Sequence, residues 1–178
     1  MLTKRGSQYE TAYEACLMRV MRTHEPRLDR TLLGIGFWAD TYSGGRGPDP
    51  RSLVAPTWAE EDRAKLVDYL NNGLVWRAYL GFSFCRFNCG IPRENMGSLT
   101  LTDGTWAWPQ GLAHYVGVHL IALPDQFLEY ASRAQAFQID AHFASPAMLG
   151  ERRWLAFPAN GTSELWQRWA VERNAMAP

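Results

Sequence analysis

The chain has 178 residues, 47% hydrophobic and 20% charged, with 18 basic and 18 acidic side chains that cancel. That length suits one domain over 1–178 that buries its own core without staples, and the zero net charge speaks against a nucleic-acid or anionic-membrane partner. No apolar run approaches the ~18 residues of a membrane span, and three cysteines without an apolar leader point to a reducing, cytoplasmic setting.

In chain order, Ser7 and Glu10 form a capping box, and Tyr9, Ala12, Tyr13, Cys16, Leu17, Val20 and Met21 recur at helical spacing until Pro26. Cys16 falls within that apolar stripe and reads as a small core residue. The stretch Leu32–Tyr42 suits a short strand or packed turn, and the glycines and prolines of about 43–56 predict a mobile surface loop. Thr57 and Glu60 suggest a second capping box ahead of Leu66, Val67 and Leu70, and Asn72-Gly73 closes that helix. Leu74–Phe84 reads as a strand, and Ser98–Thr102 and Thr105–Trp108 alternate around Asp103-Gly104, the dipeptide of type I′ hairpins. Short helices are expected over Pro109–His119 and after Leu123-Pro124-Asp125, and a last amphipathic one over Ser163–Arg173. The order gives an α+β domain: a small antiparallel sheet with flanking helices.

Chemistry concentrates between Cys85 and His119. Cys85 and Cys89 form a C-x3-C-G turn, and His114 and His119 an H-x4-H pair. Structural zinc takes four soft or borderline ligands, often a cysteine pair two to four residues apart with a histidine pair three to five apart. Gly90 lets the backbone fold back so that its amides face the sulfurs. Two features oppose a finger of the usual kind. The spacer from Gly90 to Ala113 is twice the usual length. Residues five apart on a helix also sit ~140° around its axis, so the histidines meet only if the helix ends or tightens, as Gly117 allows. Without metal, the same residues are a buried thiol pair and two backbone-bonded histidines.

A catalytic reading makes Cys85 or Cys89 a nucleophile, His114 its base and Asp103 the orienting group. Trp106 and Trp108, on one face of a strand, offer with Asp103 a place to stack or bind a ligand, although two Trp one residue apart more often close over a core. A turn position likewise accounts for Asp103.

The run Cys85-Arg86-Phe87-Asn88-Cys89-Gly90, with Gly97-Ser98, Leu101-Thr102-Asp103-Gly104, Trp106-Ala107-Trp108-Pro109-Gln110-Gly111-Leu112-Ala113-His114-Tyr115-Val116, His119 and Leu123-Pro124, resembles a family of small bacterial proteins. Their pattern is C-R, C-G, L-T-D-G, W-x-W-P-E-G-L-A-H-Y-V, H and L-P. Gln110 stands where that pattern has Glu, which removes a carboxylate from the position. The resemblance implies a site location, not an activity.

Together these features predict a protein-binding module with a structural zinc at Cys85, Cys89, His114 and His119. Another protein is its expected partner, in the manner of an immunity protein or accessory subunit. The rival is a small cysteine- or metal-dependent hydrolase or transferase.

Overall fold

The computed structural model describes residues 31–39, 47–55, 59–133, 144–149, 152–155 and 159–173, all within the unit Thr31–Pro178. The expected first helix with Cys16 lies outside these residues, as do Thr57, positions 43–46 and 56, and His24 and His142.

Among the described residues seven strands form one sheet: β1 (Thr31–Gly34), β2 (Leu74–Ala78), β3 (Leu99–Thr102), β4 (Trp106–Pro109), β5 (Ala144–Leu149), β6 (Arg152–Leu155) and β7 (Asn160–Thr162). Their order is β5-β6-β2-β3-β4-β1-β7. The α+β class holds, but the sheet is larger than the small antiparallel one expected, and mixed. β2, β3 and β4 form an antiparallel meander, whereas β1 runs parallel to β4 and β7, and β2 parallel to β6. β1 falls at the start of the stretch Leu32–Tyr42, for which a short strand is one of the two expectations, whereas Asn-Gly-Thr of β7 is too short to display a period of two.

The helices are α1 (Glu60–Asn71), α2 (Arg93–Met96), α3 (Leu112–His119), α4 (Asp125–Arg133) and α5 (Glu164–Glu172). α1 packs on α3 and α4, and α5 on β1. In α1 the buried residues are Leu66, Tyr69 and Leu70, an i, i+3, i+4 stripe. The second capping box does not form: Ala59 is the N-cap without a side-chain bond, and Glu60 is the first helical residue rather than the third. Glu60, Glu61 and Asp62 fill the first turn, where their charge complements the helix dipole. Gly73 then lets the chain turn tightly into β2, since a Cβ there would meet Trp108 Cζ2 at 2.8 Å and Leu101 Cβ at 2.9 Å.

The described part of the 43–56 loop is packed. Pro50–Leu53 forms one 3₁₀ turn capped by the Asp49 side chain, Leu53 is buried, and Val54 bridges to Ile121. β2 ends at Ala78, so residues 79–84 are not strand. The β3–β4 hairpin forms as expected, with Leu101 opposite Trp108, but its turn is not type I′. Gly104 has φ +90°, while Asp103 stays out of the left-handed region and its Oδ1 accepts the N–H groups of Thr105 and Trp106, both at 2.7 Å. An Asx-type turn thus replaces the expected one.

Trp106 and Trp108 are 2% and 0% exposed, so neither offers a ring to a ligand. Trp108 stacks on Tyr69 and donates its indole N–H to the Leu70 carbonyl at 2.9 Å; Phe127 meets both tryptophans edge-on. Their face of β4 meets α1 and α4, which is why the pair serves the core.

Candidate metal centre

The Cys85–Cys89 turn follows the exposed segment 79–84. The Asn88 N–H donates to the Cys85 carbonyl at 3.2 Å, and positive φ at Asn88 (+53°) and Gly90 (+81°) folds the chain back on itself. A Cβ on Gly90 would meet nothing, so its role is conformational. The Cys85 thiol is buried and Cys89 exposed. Burial pushes the Cys85 thiol up, while bonds from the amides of Phe87 and Cys89 pull the other way. Amides aimed at a sulfur are what a thiolate ligand needs.

The histidines come from α3. His114 lies in its first turn and His119 is its last residue, after which Leu120 takes a left-handed cap at φ +54°. The helix neither ends nor tightens at Gly117. That glycine instead allows close packing, with a Cβ there only 3.3 Å from Val67 Cγ2, and its carbonyl accepts from Arg63. The two imidazoles lean together along the helix, which brings their Nε2 atoms to 3.1 Å. Burial lowers the basicity of both, His114 further through its neighbour His119, so both favour the neutral form that binds metals.

The four side chains converge. Cys85 Sγ is 3.2 Å from His119 Nε2, Cys89 Sγ is 3.4 Å from His114 Nε2, and all four donor atoms lie within 4.8 Å of one another. A tetrahedral zinc with bonds of about 2.3 Å to sulfur and 2.05 Å to nitrogen sets S···N edges near ~3.6 Å and N···N edges near ~3.3 Å. The two S···N contacts and the N···N contact lie within about half an ångström of those edges, and the remaining pairs stay within 4.8 Å, so a small inward movement would close the tetrahedron. Each Nε2 has one in-plane position, holding a proton or a lone pair. His119 Nε2 nevertheless faces both Cys85 Sγ and His114 Nε2, and His114 Nε2 faces both Cys89 Sγ and His119 Nε2. A hydrogen-bond chain serves both contacts at each nitrogen only through shared three-centre bonds, whereas one cation at the common centre serves all four donors directly. The group could therefore hold a metal ion.

The surrounding residues, which the sequence did not single out, hold these ligands. Phe87 stacks on the His119 ring at 4.0 Å and 6°, and Arg51 caps Phe87 from 5.6 Å while donating to the Arg86 carbonyl. The Tyr115 hydroxyl accepts the Arg86 N–H at 2.9 Å and lies 3.4 Å from the Phe84 carbonyl. Burial pushes Tyr115 up to about 12, against the pull of the Arg86 amide, so it stays a neutral phenol. One signal was in view: Phe87 sits between the cysteines and Tyr115 between the histidines.

Asp103 does not join this group. Its carboxylate accepts from the Tyr69 hydroxyl at 2.7 Å and from the amides of its own turn, so it orients the hairpin and not His114. The Cys–His–Asp constellation of the alternative, catalytic reading is therefore not assembled.

No protein-family model matches the chain, and neither does any curated protein or solved structure.

Proposed function

We propose that this chain is a protein-binding module whose fold is tied by a structural zinc ion on Cys85, Cys89, His114 and His119. The observation that carries this reading is the convergence of two sulfurs and two imidazole nitrogens within 4.8 Å of one another. Two thiolates with two imidazoles form a borderline-soft set that favours zinc over the hard cations. Four protein ligands fill a tetrahedron and leave no open position for a reacting water.

The binding role is supported by the exposure of Tyr79, Leu80, Phe82 and Phe84, a run of large apolar side chains beside the metal turn. Zero net charge fits a protein partner better than a polyanion, and among the described residues no helix is long and apolar enough to cross a membrane. An immunity-type or accessory protein is the functional class this reading suggests.

The rival, a cysteine- or metal-dependent hydrolase, draws on the exposure of Cys89, which leaves one side of the group open to solvent. Against it stands the Cys85 thiol, which burial makes a poorer thiolate without metal.

Metal content per chain on untagged, chelator-washed and zinc-reloaded protein, with X-ray absorption at the zinc edge, tests the proposal. Two sulfur and two nitrogen neighbours with slow thiol alkylation support it. Three protein ligands with a bound water, or fast alkylation of Cys89 in loaded protein, turn the reading to catalysis.

A further inference from the structure

The segment between β2 and the metal turn is unusually apolar for its exposure. Tyr79 is 54% exposed, Leu80 112%, Phe82 52% and Phe84 43%. The backbone is nonetheless held: the N–H groups of Tyr79 and Ser83 donate to the carbonyls of Ser98 and Gly97, both at 2.9 Å. Ordered backbone with apolar side chains turned to water costs the free protein hydrophobic free energy that a partner would recover.

Two arginines lie against it. The Arg86 guanidinium lies 3.9 Å from the centre of the Phe84 ring and that of Arg93 5.7 Å from it. Among the described residues the ion pairs are Arg51–Asp49, Lys65–Glu61 and Arg133–Glu129, so neither arginine is paired with a carboxylate. Arg86 Nη1 donates to the Phe84 carbonyl at 3.4 Å, which leaves the other donors of its planar fork for a carboxylate, and a guanidinium fork fits a carboxylate with two parallel hydrogen bonds.

We propose that Tyr79, Leu80, Phe82 and Phe84, with Arg86 and Arg93, form the docking site for an extended acidic and apolar segment of a partner protein. The proposal rests on the protein-binding reading above and names the partner's chemistry. Charge complementarity selects the occupant: carboxylates for the two forks, apolar side chains for the rings between them. An anionic membrane fits less well, because polybasic lipid-binding sites gather about four to eight cations and this patch has two, with Glu94 adjoining Arg93. The site is coupled to the metal turn, since Tyr115 bonds the peptide groups on either side of Cys85, one of which belongs to Phe84 and the other to Arg86.

Fluorescence polarisation tests this with zinc-loaded full chain and labelled nine-residue peptides alternating Glu with Leu and Phe, alongside matched peptides carrying Lys for Glu. Phosphatidylserine-containing vesicles form a third arm. The acidic peptide is expected to bind, more weakly as salt rises, and the Lys peptide not to. An Arg86→Glu/Arg93→Glu double variant should bind at least tenfold more weakly with unchanged zinc content and circular dichroism. Leu80→Ser should weaken binding several-fold, and a residue this exposed can be changed without disturbing the fold. Equal binding of the Lys peptide would overturn the acidic partner while leaving a protein-binding module. Vesicle binding without peptide binding, or no binding by zinc-loaded protein, would overturn the docking site itself. Arginine-dependent peptide binding by a protein that never takes up zinc would support the docking site and sink only the metal assignment.

Discussion

The Tyr115 hydroxyl accepts the Arg86 N–H at 2.9 Å, so a residue between the two histidines fixes the peptide that follows the first cysteine. This bond joins the halves of the Cys/His group across the β3–β4 hairpin without touching a donor atom. Outer groups of this kind typically alter metal affinity 10–100-fold when removed.

Tyr115→Phe keeps the ring and deletes that bond. The Arg86 N–H loses its partner, and stability should fall by about 1–3 kcal/mol. Zinc affinity, read by competition with a chromogenic chelator, should fall at least tenfold while the stoichiometry stays at one. Unchanged affinity would mean that the turn is held by Arg51 and Phe87 alone.

Removing the metal should loosen the whole domain. Free zinc at a thousand times its Kd stabilises by about 4 kcal/mol. For a chain of this size that corresponds to a Tm loss of about 8–16 °C on chelation. His114→Ala should show the lower Tm from the start and no further response to chelator, by differential scanning calorimetry. A wild-type Tm indifferent to chelator would end the structural role.

The Asp103–Tyr69 pair gives a pH signature away from the metal group. Burial pushes the Asp103 carboxyl above its usual 3.8, with the Tyr69 hydroxyl the strongest opposing influence, ahead of the Trp106 and Thr105 amides. A folded value above the unfolded one means the folded state holds the proton longer. The stability contributed by that proton is complete below 3.8 and is lost as pH rises through the folded value. Tyr69→Phe removes the main opposing bond, so the Asp103 carboxyl should titrate higher still by carbon-detected NMR. The variant should lose about 1.5–3 kcal/mol near neutral pH, and less in acid where Asp103 is already protonated. A downward shift in the variant would overturn this account.

Trp106 tests the core assignment against the ligand-stacking one. Trp106→Ala should cost about 3–5 kcal/mol by denaturant titration, the range for emptying a large buried aromatic site. A stable variant with altered ligand binding would restore the surface role.

The sequence was most readable where structure is local. The hairpin around Asp103-Gly104, the C-terminal helix with Trp166 and Ala170 buried, and the Cys and His pairs all depend on neighbours a few residues away. Thr57-x-x-Glu60 misled because a capping pattern is only three residues of information, and the helix starts at Glu60. The Leu74–Phe84 strand was drawn too long because Tyr79, Leu80, Phe82 and Phe84 have strand-like side chains that the fold leaves in water. Composition cannot separate a residue that packs inward from one kept outside for a partner. For Trp106 and Trp108 the spacing of two rings on one strand face already favours the core over ligand stacking, and they are buried; which partners cover them, α1 and α4, depends on elements arriving from elsewhere in the chain.

The sheet order has a consequence for how the molecule is made. Thr31 pairs with Asn160, whereas the ligand pairs lie only 25 and 34 residues apart at their contacting members. Loop closure favours the short connections, so the Cys/His group and its hairpin can assemble early, while β1 stays without its β7 neighbour until Asn160–Thr162 have left the ribosome. During that interval β1 is an open strand edge, the kind of surface that nascent-chain chaperones cover. The Cys/His group can thus be complete while the β1 edge still waits for its neighbour.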